Sequence, residues 1–199
     1  MRRRRQRGKA SAASTTEADA PHGEASLVLG REHLARVVYA GIESAQVDLA
    51  IATADFKAML VPEDGGSRAR SIIAVLRALA KRGVEVRVLH AGVPSSAALD
   101  ELCEALPEEL TLRRCPRVHT KAVIVDAAWM YLGSANLTGA GLGAKSPTRR
   151  NFEAGVCSAA PELIDPVLTW FDELWEGALC EDCGRREHCP VPLEEPELR

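Results

Sequence analysis

No apolar run in this chain of 199 residues approaches the roughly eighteen that a membrane-spanning helix needs. The arginine cluster Arg2–Arg5 is followed by Ala, Ser and Thr, with none of the apolar region that a secretory leader carries. No membrane association is expected, and the chain is read as non-secreted and cytoplasmic. Without a leader, the six cysteines Cys103, Cys115, Cys157, Cys180, Cys183 and Cys189 are expected to be reduced or metal-bound, not disulfide-paired. Residues 1–26 also lack apolar periodicity, so little burial is available there to offset the entropy of ordering. They read as a disordered basic tail, with Arg2, Arg3, Arg4, Arg5, Arg7 and Lys9 and no acid in the first nine positions.

What is present is unevenly charged. The formal net charge of -3 conceals a basic zone at 111–150, with seven basic residues against the single acid Asp126. From Glu153 onward twelve acids face three bases. A basic zone of this kind suits an anionic substrate.

Apolar spacing divides residues 27–177 into alternating elements, and this stretch is read as one domain. Leu34, Val37, Val38 and Ile42 recur at helical spacing within a helix expected over about Leu27–Ala45, followed by a buried strand at Val47–Ala54. Residues 55–66 read as a loop. Ser71–Arg82 is amphipathic and stops at Gly83, as a helix with a glycine C-cap does. Val84–His90 is the next strand, Ala97–Ala105 a helix and Leu110–Arg114 a short strand. Thr120–Asp126 and Trp129–Gly133 form a hairpin around Ala127 and Ala128, and the glycine-rich loop Ser134–Ser146 follows. Phe152–Ser158 is a last strand and Pro161–Gly177 a helix with an apolar face of Leu163, Val167, Trp170, Phe171 and Leu174. Trp170 and Trp175 read as core or dimer packing. The fold class is α/β: a sandwich with a mixed β-sheet flanked by helices.

The chemistry concentrates in HTKAVIVDAAWMYLGSAN, which carries His119, Lys121, Asp126, Gly133, Ser134 and Asn136. Six specified residues at fixed spacing arise by chance in roughly one chain in a few hundred thousand of this length. Residues two apart on a strand share a face, so His119 and Lys121 present a nucleophile and a cation to the same phosphate. Gly133 allows close backbone approach, and Ser134 and Asn136 can donate hydrogen bonds to phosphate oxygens. Asp126, at a strand end beside a turn, has two readings: a catalytic residue or a turn-holding one.

This HxK(x)4D(x)6GSxN pattern resembles the phospholipase D superfamily, over about Leu27–Gly177. The resemblance implies an α/β sandwich and metal-independent phosphodiester cleavage, with Lys and His supplying the charge that a metal supplies elsewhere, and therefore no catalytic cofactor. It implies that His119 attacks phosphorus to form a phosphohistidine while a second motif histidine protonates the leaving oxygen. Only one HxK is present, since His22, His33, His90 and His188 lack a lysine two residues on. The small bacterial nucleases of the family complete the site as two-fold dimers, so a homodimer is implied. Lys121, Ser134 and Asn136 would bind phosphate oxygens, and Glu153 of RRNFEAGV would orient the histidine. The leading expectation is an endonuclease acting on DNA or RNA, with partner proteins of a restriction or phage-defence system implied by the resemblance. The alternatives are a phospholipase or phosphatidyltransferase, and a non-catalytic nucleic-acid-binding subunit.

Residues 178–199 form a cysteine-rich tail in which Cys180, Cys183 and Cys189 have C-x2-C-x5-C spacing. Two thiolates three residues apart can grip a tetrahedral metal, so zinc or an iron–sulfur cluster is expected as a structural centre. The fourth ligand is left open among His188, Cys157 and Cys115.

Overall fold

The computed structural model describes residues 25–63, 68–186 and 189. Residues 1–24, and with them the expected basic tail, lie outside the described residues, as does His188. Among the described residues no helix is long and apolar enough to cross a membrane.

The elements run β1 (Ser26–Leu29), β2 (Asp48–Thr53), β3 (Leu60–Pro62), β4 (Ala69–Ser71), α1 (Ile72–Ala80), β5 (Glu85–His90), α2 (Ser96–Leu102), β6 (Leu110–Arg114), β7 (Lys121–Val125), β8 (Trp129–Gly133), β9 (Ala154–Ser158) and α3 (Pro161–Trp175). Seven strands form one mixed sheet in the order β1-β9-β8-β7-β2-β5-β6, and β3 and β4 form a separate hairpin. β2, β5 and β6 are parallel, joined by α1 and α2, whereas β7, β8, β9 and β1 add antiparallel neighbours.

Local chemistry explains the boundaries. Ser71 caps α1 by accepting the Ala74 backbone N–H at 3.0 Å, and Gly83, at φ +89°, allows the chain to turn into β5. The β7–β8 turn passes through Asp126 and Ala127, both at positive φ, and closes with Ala128 N–H donating to Val125 O at 2.9 Å. This turn lies one residue earlier than the expected Ala127–Ala128 pair.

A hydrophobic core packs on each face of the sheet. On one side Ile72, Ile73, Val75, Leu76 and Leu79 of α1 pack with Leu49, Ile51, Val86 and Val88. On the other, Ile164, Phe171 and Trp175 of α3 pack on Ala50, Ala52, Leu89, Ala122 and Ile124. The buried face of α3 is therefore rotated from the expected one: Leu163 and Trp170 are exposed, and Trp175 is the core tryptophan. Arg87 explains the rotation. Its guanidinium pairs with Asp172 at 2.7 Å and Asp48 at 3.2 Å and lies 5.3 Å from the Phe171 ring centroid, which fixes the Phe171–Trp175 side of the helix on the sheet.

Two expected elements differ. The helix over Leu27–Ala45 is instead the edge strand β1, then a short π-helical segment at Leu34–Tyr39 and a 3-10 turn at Ile42–Ser44. Leu27 and Val28 are held extended by pairing with Val156 and Gly155, which outweighs their place in a helical pattern. The loop expected at 55–66 contains β3, whose partner β4 comes after it. The tail boundary moves accordingly, because Ser26 already belongs to the sheet.

Candidate active site

His119 lies just before β7 and is exposed, while Lys121 opens that strand with only 7% of its surface exposed. Lys121 Nζ donates to the His119 carbonyl at 2.7 Å and lies 3.4 Å from His119 Nε2. The motif's first two residues thus meet at one corner of the sheet, although His119 itself precedes the strand. Burial holds the Lys121 ammonium below the ordinary lysine range, and the charge of Glu153 partly opposes that shift.

The other half of the site comes from the β8 end and the β9 start. The Ser134 hydroxyl donates to the Glu153 carboxylate and accepts the Ala154 backbone N–H at 3.1 Å. Asn151 Nδ2 donates to Glu153 Oε1 at 3.0 Å. The His119–Glu153 hydrogen bond that the family resemblance implies is not among the bonds of the described residues; this carboxylate is held by Ser134 and Asn151. Asn136 Oδ1 accepts the Asp55 backbone N–H at 3.1 Å, which leaves its Nδ2 as the group able to donate to a phosphate oxygen. Thr53, at the β2 end, accepts the Leu137 N–H at 3.0 Å and so clips the loop after Ser134 to the centre of the sheet.

Beneath this loop lies Tyr131, 1% exposed. Its hydroxyl accepts the Ala135 N–H at 3.2 Å and bonds to His33 Nε2 at 3.0 Å. A Cβ on Gly133 would meet Ala154 O at 2.7 Å, so only glycine permits the approach of β8 to β9 here. Thr53, Asp55, Tyr131, His33 and Asn151 were not singled out from the sequence. Thr53 alone carried a usable signal, its place at the C-terminal end of a parallel strand, where α/β sheets build their sites.

Asp126 stands apart from this group, at the opposite end of β7. Its carboxylate accepts backbone N–H groups of Val47 at 2.8 Å, Asp48 at 2.9 Å and Gln46 at 3.0 Å. Of its two sequence readings, this geometry fits the turn-holding one. Burial tends to raise its carboxyl, but the amide hydrogen bonds prevail and hold it below the usual carboxylate range.

The cysteines divide. Cys157 is buried in β9 on the side of Tyr131, with its thiol pushed up by burial to about 11. Cys115, Cys180, Cys183 and Cys189 line one small cavity beside Arg117. Among the described residues no group of three or more His, Cys, Asp or Glu side chains is arranged to hold a metal ion. The zinc or iron–sulfur centre expected from the spacing therefore has no assembled site among the described residues, and Cys157 is too deeply placed in the sheet to join the other three.

Comparison with known proteins gives the same fold. A family model described as cardiolipin synthase, phospholipase D-like domain, matches residues 38–175. NucT from Helicobacter pylori superposes with a TM-score of 0.58 at 18% identity, covering 77% of this chain and 96% of that one. Nuc from Salmonella typhimurium, a phospholipase D family member, superposes at 0.55 with 27% identity over 77% of this chain and 95% of that one. TrmBL2, an archaeal chromatin protein with a novel mode of DNA binding, reaches 0.50 at 17% identity, over 80% of this chain and 55% of that one. No curated protein matches the chain at the same significance.

Proposed function

Starting from the fact that this chain belongs to the phospholipase D-like domain family, we propose that it is a metal-independent phosphodiesterase that cleaves nucleic acid as a homodimer. The observation that carries this reading is the pairing of exposed His119 with buried Lys121 at one corner of the sheet, opposite Ser134 and Asn136. A ring nitrogen of His119 attacks phosphorus, forming a P–N bond as the P–O bond to the leaving oxygen breaks. His119 of a second copy gives that oxygen its proton. The same histidine then takes a proton from water, whose oxygen attacks phosphorus and releases the first His119. Lys121 and the amide of Asn136 stabilise the phosphoryl oxygens throughout.

Two features support the second copy. One HxK supplies one histidine, and the two-step chemistry needs two. One cross-sheet row, Ala52–Ala122–Leu132–Val156–Leu27, passes from positions buried under α3 to exposed Leu132 and Leu27. An apolar sheet face left open on the strands that carry Ser134 and Glu153 suits a self-complementary contact. The basic zone around the motif favours a polyanion as substrate. The setting proposed with this activity is restriction or phage defence, in which expression in a bacterial host should lower phage plating in a manner that depends on His119.

The family description favours a second reading, phosphatidyl transfer or lipid hydrolysis. One assay separates the two. Purified protein and His119→Ala are incubated in EDTA with plasmid, single-stranded DNA, RNA and phosphatidylcholine vesicles, with folding checked in the same samples. Cleavage of nucleic acid by the native chain alone is the expected result. Lipid turnover alone would replace the nuclease reading, and nucleic-acid binding without cleavage would leave a non-catalytic binding subunit.

A further inference from the structure

The motif chemistry uses none of the six cysteines, and the placement of four of them is not that of scattered surface thiols. Cys115, buried, follows β6 and is fixed by its backbone N–H bond to His90 O at 2.8 Å. The tail then returns to it across the surface. Cys183 N–H donates to Cys180 O at 3.2 Å, Arg186 N–H to Cys183 O at 3.1 Å and Cys189 N–H to Arg186 O at 3.1 Å. These three cysteines come together with Cys115, since all four residues line the same cavity of about 20 Å³. A space of this size takes one water or one ion. The tail is anchored there by Arg185 Nη1, which donates to Pro116 O at 3.1 Å, and Arg117 Nη1 lies 3.5 Å from Cys183 Sγ.

We propose that Cys115, Cys180, Cys183 and Cys189 form a four-thiolate site for a single thiophilic divalent cation that fastens the tail to the segment leading into His119. The four thiols share the cavity without standing as an assembled site. On binding, four S–H protons leave and four metal–sulfur bonds form. The proposal resolves the open choice of fourth ligand in favour of Cys115. Cys157 and Cys103 take no part.

The test is independent of catalytic activity. The full chain is expressed in zinc-supplemented medium, its metal content is measured by mass spectrometry, and the metal-stripped chain is titrated with Cd²⁺ while the thiolate-to-metal ultraviolet band is followed. One ion per chain is expected. Cys183→Ser and Cys189→Ser, on the partly exposed tail, should fold and lose tight binding, and Cys115→Ser should match them. Cys103→Ser and Cys157→Ser should bind as the native chain does. A chain that purifies without metal and gives no cadmium band overturns the proposal. So does full binding by the two tail variants, or a coloured protein containing iron and sulfide.

Discussion

The Tyr131 hydroxyl, buried in the sheet, lies 3.0 Å from His33 Nε2 across a separation of 98 residues. His33 Nδ1 lies 2.9 Å from Gly30 O and can only donate there, which leaves Nε2 to accept from the Tyr131 hydroxyl. The same oxygen accepts the Ala135 N–H. Gly30 N–H in turn donates to the Glu153 carbonyl at 2.9 Å. One relay of hydrogen bonds thus ties the loop bearing Ser134 and Asn136 to the strand start bearing Glu153.

Tyr131→Phe keeps the ring and removes this link. It leaves His33 Nε2 and the Ala135 N–H without that partner, at a cost of about 1–3 kcal/mol for an unsatisfied buried group. Denaturant melts should register that loss. The rate per folded molecule should also fall, with kcat affected more than KM, because the loop that meets the phosphate is loosened. Unchanged kcat in a destabilised variant would make the tyrosine a packing residue only.

Much of this arrangement was legible in the sequence. The strands at 48–53, 85–90 and 110–114 and the β7–β8 hairpin follow from apolar pattern and turn residues. What escaped depends on contacts distant in sequence. Leu27–Leu29 carries too few residues to declare a period, and becomes a strand only because Ala154–Cys157 lies beside it. The rotation of α3 depends on Arg87, a charged residue inside a strand pattern, meeting Asp172. Nothing local marks His33 as the partner of Tyr131.

Leu132 tests the dimer. Its side chain is partly exposed and belongs to the apolar row that the second copy is proposed to cover. Leu132→Lys should leave the chain folded, with an unchanged melting profile at high dilution, but convert it to a monomer in sedimentation. Nuclease activity should drop by at least about a hundredfold, the scale associated with losing a general acid–base group. A monomeric variant with full activity would dismiss the two-histidine site between copies.

Lys121 gives an alkaline signature. Because burial lowers its pKa, the cation is lost as pH rises before an ordinary lysine would titrate. Activity should therefore decline on the alkaline side below the usual lysine range. Lys121→Arg should abolish that decline while lowering the plateau rate, since a guanidinium stays charged but does not reproduce the ammonium's reach. An alkaline limb that persists unchanged in the arginine variant would assign it to another group.

Asp126 separates fold from chemistry within the motif itself. Its folded pKa lies below the unfolded value of about 3.9, so its stabilising contribution is complete above that value and is lost as pH falls through the folded pKa. Asp126→Asn tolerates the positive φ of the turn and keeps one acceptor oxygen, but it removes the charge that binds the Gln46, Val47 and Asp48 amides. At neutral pH the variant should be less stable by about 1 kcal/mol, the typical difference between a charged and a neutral acceptor. The gap should narrow steadily below about pH 4 as the native carboxylate becomes protonated. Catalytic rate per folded molecule should stay near that of the native chain, because this carboxylate is engaged with the start of β2 and not with the phosphate group of side chains. A stability gap that ignores pH would reject the charge argument. A collapse of kcat with stability intact would return Asp126 to the catalytic set.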